Sequence, residues 1–324
     1  MIWQSLGAAI ALSAASGVLA EAPTQPSAAV AEAGAPAILT EAEILKLERE
    51  RYQRMTVPVT IQGQGPFRFM IDTGAQATVL SHELAATLQV NNRRPVVLVG
   101  MASRINTETV GVEGLMLGSR SFYIQSAPLV DAEHLGEADG ILGLDSLQNQ
   151  RVLLDFQKKQ IAVADAEDLG GNRGFEIVVK ARERLGQLII TRSMIDGVQT
   201  TVIVDTGAQG SIGNPALLER LRRKRMVGET ELTDVNGQQL SGPIRIVGQL
   251  TVGRVQLNNF PVLFADAPPF HVLGLADKPA LILGMEELRL FRRVAIDFKS
   301  REILFDLPRD TPLFDSFIGS RIGA

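Results

Sequence analysis

The chain has 324 residues, of which 45% are hydrophobic, so it is long and apolar enough for about two packed domains. Its formal net charge of −4 argues against nucleic acid as a partner. The absence of cysteine excludes thiol catalysis, thiolate metal sites and a lipid anchor on a cysteine.

Residues 1–20 carry no charged side chain and predict an export signal. An apolar run over residues 6–15 is followed by Val18 and Ala20, which have the small-residue form of a signal peptidase site before Glu21. Because no Lys or Arg precedes the apolar run, an uncleaved membrane anchor is the alternative. We therefore expect a periplasmic or secreted protein or, alternatively, one tethered to the membrane and facing the envelope.

The segment between this signal and the folded part is expected to be a linker followed by a helix. Residues 21–39 are rich in Ala and Pro, which is typical of a linker. Thr40 and Glu43 have the spacing of a capping box, so a charged helix is predicted over residues 41–54. This helix either packs on the folded part or acts as a propeptide. Residues 309–324 are interpreted as a tail.

An internal repeat organises the rest of the chain. The five residues Asp-Thr-Gly-Ala-Gln occupy positions 72–76 and recur at positions 205–209, which is 133 residues later. Each copy ends an apolar alternating run, a pattern typical of a half-buried strand that enters a tight turn. A repeat of this length predicts two structurally equivalent halves.

Two such halves packed about a pseudo-twofold axis would bring Asp72 and Asp205 together. Like charges at that distance cannot both ionise, so the pair shares one proton and one pKa rises. The ionised carboxylate can then take a proton from a water molecule while the protonated one donates to a carbonyl oxygen. Such a pair can hydrolyse a peptide bond without a metal or a covalent intermediate.

The paired motifs resemble the active-site motifs of the aspartic proteases, and the Ala after each Gly is more similar to retropepsins than to pepsins. The family's second element, two hydrophobic residues followed by Gly, is matched by residues 141–143 and 282–284, and a similar strand follows each. The resemblance covers most of residues 55–308. It implies a mainly β, two-lobe, pseudo-symmetric acid-protease β-barrel fold with a retropepsin-like lobe at 55–167 and another at 175–308, of a kind seen in bacterial envelopes.

The resemblance also implies roles for the motif residues. Asp72 and Asp205 would be the catalytic dyad, and the two Thr residues would interlock across the axis while the two Gly amides approach the carboxylates. The residues expected to support the dyad are Thr73, Gly74, Ala75, Thr206, Gly207 and Ala208. Residues 141–143 and 282–284 would pack beneath the motif loops. The family implies an extended polypeptide substrate and neither a metal nor another cofactor. Because both motifs stand in one chain, a monomer is expected, with a symmetric homodimer as the alternative.

Two turns are expected to be the flaps that cover the substrate in this family, with ordinary surface hairpins as the alternative. The residues concerned are Gly100, Met101, Ala102 and Ser103 in flap one, and Val235, Asn236 and Gly237 in flap two. The Asn-Gly pair favours a tight hairpin turn. Neither turn contains a Tyr, which puts the flap's hydrogen-bonding role in doubt. A Pro-rich loop over residues 265–279 is expected to border the cleft.

Other chemistries fit the sequence less well. The three His residues lack the His-Glu-x-x-His spacing of a metallohydrolase, and residues 210–213 lack the form of a serine hydrolase elbow. The main alternative is a catalytically inactive two-lobe peptide-binding or scaffold protein of the cell envelope. Because Ala75 and Ala208 offer no side-chain donor to the carboxylates, an active enzyme is expected to have a pH optimum nearer neutral than pepsin's.

Overall fold

The computed structural model describes residues 2–3, 56–222 and 226–308. The predicted linker, the helix over residues 41–54 and the tail lie outside these residues, as does the export signal apart from residues 2–3. Within the described part of the chain, no helix is both long and apolar enough to span a membrane.

The first lobe is built on an eight-stranded sheet. Its strands are β1 (Ile2–Trp3), β2 (Thr56–Ile61), β3 (Gln64–Ile71), β4 (Val79–Ser81), β5 (Arg94–Val99), β6 (Arg104–Leu117), β7 (Arg120–Val130) and β8 (Gly140–Leu142). They are ordered β1-β5-β6-β2-β3-β8-β4-β7, and β6 also pairs with β7, so that the sheet folds back on itself. The two Gly and one Pro within residues 62–66 predict a turn over all five residues, which is wrong. The turn is only Gln62 and Gly63, because both adopt the positive φ that a two-residue hairpin requires.

The second lobe repeats this plan. Its strands are β12 (Arg182–Arg184), β13 (Gln187–Ile195), β14 (Val198–Val204), β15 (Ile212–Gly213), β16 (Met226–Thr233), β17 (Gln239–Val252), β18 (Val255–Phe264) and β19 (Ala280–Leu283). They are ordered β12-β13-β14-β19-β15-β18-β17-β16, with an additional pairing of β13 and β17. The mainly β, two-lobe architecture predicted from the sequence is therefore confirmed.

A five-stranded sheet joins the two halves of the chain. It contains β9 (Arg151–Asp155), β10 (Gln160–Ala164), β11 (Ile177–Lys180), β20 (Arg293–Asp297) and β21 (Glu302–Asp306), in the order β10-β9-β20-β21-β11. At its centre β9 pairs antiparallel with β20, and Val152 lies opposite Ile296. The buried Arg151 side chain forms an ion pair with buried Asp297, with 2.7 Å between Nη2 and Oδ2. Since both charges are removed from water, the pair needs its own hydrogen bonds, and the Gly171 carbonyl accepts one from Arg151.

The helices in the described part of the chain are short. They are α1 (His82–Thr87), a 3₁₀ helix (Ala132–Leu135), α2 (Leu144–Leu147), α3 (Pro215–Arg220), α4 (Pro268–Val272) and α5 (Met285–Leu288). Ser81 and Asn214 are of residue types that favour the N-cap, and Pro215 favours the first helical position, so the sequence predicts helices that begin after Ser81 and Asn214. Both caps are confirmed, because each side chain accepts a hydrogen bond from the backbone N–H three residues later. The Pro-rich segment expected to be a loop contains α4, whose Phe270 side chain is fully buried.

Candidate active site

The two copies of the repeated motif follow equivalent strands in the two lobes. Strand β3 runs parallel to β8, with Ile71 opposite Leu142, and β14 runs parallel to β19, with Val204 opposite Leu283. The next N–H after each strand continues the ladder, because Asp72 donates to Leu142 and Asp205 to Leu283, at 3.0 and 3.1 Å. Each aspartate is therefore fixed by backbone pairing where its strand ends.

The predicted support residues Thr73 and Thr206 lie against each other across the two lobes. The N–H of each threonine donates to the hydroxyl of the other, at 3.1 and 3.2 Å. Each hydroxyl in turn donates to a backbone carbonyl of the opposite lobe, Thr73 to Val204 at 2.9 Å and Thr206 to Ile71 at 2.8 Å. These four bonds tie the two motif loops together and fix the spacing of the aspartates.

Backbone donors hold one oxygen of each carboxyl group. The N–H groups of Gly74 and Ala75 donate to Oδ1 of Asp72 at 2.8 and 2.9 Å. In the second lobe, residues 207 and 208 donate in the same way to Oδ1 of Asp205, at 2.8 and 3.2 Å. Glycine is required at position 207, because a β-carbon there would overlap the carboxyl group of Asp72.

The two aspartates form one buried electrostatic unit. Both side chains are 1% exposed. Burial raises the pKa of Asp72 well above its usual value, and the charge of Asp205 and a hydrogen bond between the two carboxyl groups raise it further. The N–H donors of Gly74 and Ala75 act in the opposite direction on this pKa. The arrangement can therefore hold a proton between two carboxyl groups, which suits one of them to act as an acid and the other as a base.

Comparison with protein families agrees with this geometry. A family model described as "gag-polyprotein putative aspartyl protease" matches residues 57–149, and one described as "Aspartyl protease" matches residues 191–286. Together they cover more than half of the chain, one on each lobe. The chain belongs to the retropepsin-like aspartic protease family.

Similarity to individual proteins is weaker than the similarity to these families. No curated protein gives a significant match. A solved structure that is similar is the retropepsin-like aspartic protease from Rickettsia conorii, which is 19% identical. The match covers 40% of this chain and 90% of that chain, with a TM-score of 0.28.

The second family element supports the motif loops from below. The N–H of Leu144 donates to the carbonyl of Ala75, and that of Met285 donates to the carbonyl of Ala208. The preceding glycines, Gly143 and Gly284, have no room for a β-carbon against the backbone of the motif loops. This contact explains why the element needs glycine after its two apolar residues.

An acidic side chain lies near each motif loop of this family member, one at the surface and one buried. Asp145 is exposed at its outer side and accepts hydrogen bonds from the N–H and the hydroxyl of Thr78, and the partial removal of its carboxyl group from water raises its pKa. In the second lobe Ser211 donates to Glu287 at 2.5 Å. Burial first, and then the neighbouring charge of Glu286, raise the pKa of Glu287 to about 7.

The raised pKa of Glu287 predicts a pH-dependent stability. The folded protein holds this proton up to about pH 7, whereas the unfolded chain releases it near its ordinary pKa of 4.5, so the free energy of unfolding falls as pH rises between these values. Over the whole window the loss is on the order of 3 kcal/mol. Glu287→Gln is expected to reduce the fall of the thermal unfolding midpoint between pH 5 and 7.5. The same change at the exposed Glu137 should leave that slope unaltered, and an unaltered slope in Glu287→Gln would contradict the assignment.

The residues predicted to form the two flaps meet each other. We call residues 100–103, between β5 and β6, the first tip, and residues 234–238, between β16 and β17, the second tip. Asp234 is 2% exposed and bridges them. Its Oδ2 accepts from the N–H of Ala102 at 3.0 Å and the hydroxyl of Ser103 at 2.7 Å. Its Oδ1 accepts from the N–H groups of Asn236 and Gln238 in its own turn.

Each tip also inserts an apolar side chain into the opposite lobe. Met101 of the first lobe is 1% exposed and packs in a cluster of second-lobe side chains that includes Ile203 and Ala208, beside Asp205 in sequence. Val235 of the second lobe is fully buried in a first-lobe cluster that includes Met70, beside Asp72 in sequence. The tips are therefore joined to each other and exchanged between the lobes.

The sequence did not single out Asp234 or Glu287, which act through contacts between distant residues. Asp234 did stand at the start of the recognised hairpin turn, and turn-starting Asp residues commonly accept hydrogen bonds from the following backbone, which was the available signal. Nothing in the sequence marked Glu287 as buried, because it follows Glu286 in a short charged stretch.

One group of side chains has the composition of a metal site. Asp131, Glu133 and His134 offer ligand atoms within 4.8 Å of one another. Both acids are exposed, and exposed acidic groups often lie together without an ion. His134 packs closely against Gly237 of the second tip, so its ring already has a structural role. We assign no metal to this group.

Proposed function

We propose that the protein is an aspartic endopeptidase in which Asp72 and Asp205 activate water for attack on a peptide bond. The observation that carries this proposal is the pair of buried carboxyl groups, held by two equivalent loops and coupled so that the pKa of Asp72 is raised. Two carboxyl groups at a surface would ionise independently, and neither would then be an acid at neutral pH.

The chemistry follows from one shared proton. The ionised carboxylate takes a proton from water as the water oxygen bonds to the carbonyl carbon, and the other carboxyl donates its proton to the carbonyl oxygen. The resulting tetrahedral species collapses when the C–N bond breaks: the amine leaves with the proton of the dyad, and one hydroxyl group of the tetrahedral species returns its proton to the dyad as it becomes the carbonyl of the acid product. The backbone donors on Oδ1 of both aspartates hold the carboxyl groups in place through these transfers.

Substrate access requires the tips to separate. The aspartates are buried, and the tips are joined by the carboxylate of Asp234 and by the exchange of Met101 and Val235. An extended polypeptide is the proposed substrate, because it can lie between the two lobes and pair with the backbone of the tips as an added strand. The clusters that hold Met101 and Val235 would then be open to apolar substrate side chains.

The experiment that tests this function is a cleavage assay on an unfolded protein and on a mixed peptide library across acidic and neutral pH. Endopeptidase activity predicts internal cuts that a transition-state peptide inhibitor of aspartic proteases blocks. Inhibitor binding without any cut would instead support the inactive peptide-binding alternative, and neither cleavage nor binding would overturn the proposal.

The uncharged sequence of residues 1–20 supports the further proposal that the enzyme works outside the cytoplasm, and the presence of both motifs in one chain supports a monomer. Export with cleavage predicts a mature chain that begins at Glu21 and therefore lacks β1, whereas a retained first residue in a membrane fraction would indicate the anchor. Sequencing the amino terminus of the protein from fractionated cells separates these outcomes.

A further inference from the structure

The side chain of Gln187 crosses from the second lobe to the motif loop of the first. Gln187 begins β13 and is fully buried. Its Nε2 donates to the carbonyl oxygen of Gly74 at 2.5 Å. A carbonyl only accepts hydrogen bonds, so the amide nitrogen and not the amide oxygen must face it.

This contact reaches Asp72 through a single peptide unit. The carbonyl of Gly74 belongs to the same peptide group as the N–H of Ala75, which donates to Oδ1 of Asp72 at 2.9 Å. Hydrogen bonds in a chain polarise one another, so a donor on the carbonyl makes the N–H of that peptide a stronger donor. A stronger donor favours the ionised form of the carboxyl group that accepts from it.

The environment of Gln187 argues against a packing role. Among the described residues, its Oε1 is buried and has no hydrogen-bond partner. A buried polar atom without a partner costs about 1–3 kcal/mol of stability. An apolar side chain of similar size would fill the same space without this cost but would leave the carbonyl of Gly74 without its donor, so stability alone gives little reason for a glutamine here.

The geometry points to Gln187 as a positioning residue that fixes the Gly74–Ala75 peptide against Asp72 and so makes Asp72 easier to ionise than its burial beside Asp205 alone would leave it. The inference deepens the proposed function and rests on it.

The test uses Gln187→Met, which keeps an unbranched side chain of similar size and removes the donor. The chain provides a matched control in Gln150, which is buried, donates from Nε2 to the carbonyl of Ser146 at 2.7 Å and has an unpartnered Oε1 among the described residues. Gln150→Met therefore removes the same chemistry from a peptide that makes no contact with the dyad carboxylates.

In Gln187→Met, the basic limb of the profile of kcat/KM against pH is expected to move up by about half to one pH unit, because that limb reports the loss of the proton that the free dyad holds at Asp72. We expect kcat to fall by about tenfold with little change in KM, and the unfolding midpoint to stay level or rise. Gln150→Met should leave the limb in place. An unmoved limb in Gln187→Met, or the same movement in both variants, would overturn the inference.

A second readout does not depend on proteolysis. The pH dependence of the unfolding midpoint also reports the ionisation of Asp72, since its pKa differs between the folded and unfolded chains. Gln187→Met should shift this dependence toward higher pH, and should shift nothing when combined with Asp72→Asn. If the parent protein cuts no peptide, the proposed function fails, while this measurement still decides the role of Gln187.

Discussion

Asp72→Asn is expected to lower kcat/KM by about a thousandfold or more and to raise stability at neutral pH. The loss of activity follows because asparagine cannot share or transfer the proton of the dyad, and positioned acid–base groups contribute up to about 10⁴-fold. The gain in stability follows because the pKa of Asp72 is raised in the folded protein, so its carboxyl group opposes folding once pH exceeds its ordinary pKa. Peptide cleavage and thermal unfolding at several pH values measure both effects.

A loss of activity together with a gain in stability in Asp72→Asn would distinguish a catalytic carboxyl group from a structural one. Asp165→Asn makes the same chemical change at a partly exposed side chain paired with Arg120, and should alter neither quantity strongly. Retained cleavage by Asp72→Asn would remove Asp72 from the mechanism. A lost activity accompanied by a large fall of the unfolding midpoint would show that the side chain holds the loops together instead.

A disulfide between the two tips is expected to stop proteolysis reversibly. The amide nitrogen of Asn236 lies 2.8 Å from the hydroxyl oxygen of Ser103, so the two side chains are in contact across the lobes. Because the chain has no cysteine, Ser103→Cys combined with Asn236→Cys offers one disulfide and no competing pair. Once oxidised, the tips cannot separate, so cleavage should fall to the level of the uncross-linked fraction, and a reductant should restore it.

The controls for this variant are its two single substitutions, treated with the same oxidant and reductant. Each removes the Asn236–Ser103 hydrogen bond without adding a covalent link, so their activity should not respond to oxidation. Mass spectrometry of the oxidised double variant measures the cross-linked fraction. Undiminished cleavage by fully cross-linked protein would mean that substrate reaches the aspartates without separation of the tips.

Much of the fold could be predicted from the internal repeat in the sequence. Alternating apolar runs and a shared Asp-Thr-Gly-Ala-Gln predicted two equivalent halves, and the cap residues Ser81 and Asn214 predicted where helices begin. These features depend on neighbours in sequence. The same local logic failed at residues 64–66, which continue a strand although Gly and Pro favour a turn. Gln64 already pairs with Ile61, and Gly65 and Pro66 are accommodated at a register shift of the β2–β3 ladder before pairing resumes at Phe67.

The contacts that distinguish this protein join residues far apart in the chain. Asp234 meets Ser103, and Gln187 meets Gly74, only because the lobes pack against each other. Gln187 is an ordinary polar residue near the start of a strand, so no residue pattern marks it as buried. The protonation of Glu287 likewise depends on burial by side chains that are remote in sequence. Such features need the tertiary structure.

The five-stranded sheet has a consequence for synthesis on the ribosome. Strand β9 pairs antiparallel with β20, with Val152 opposite Ile296, and the whole second lobe lies between these two strands in the sequence. The hairpin of β9 and β10 therefore emerges with one edge unpaired and waits for more than a hundred residues of further translation, a delay of several seconds or more at about 5–20 residues per second. An exposed strand edge invites pairing with other chains. We therefore expect a chaperone that binds exposed strand edges to reduce aggregation of the nascent first lobe until β20 has been synthesised.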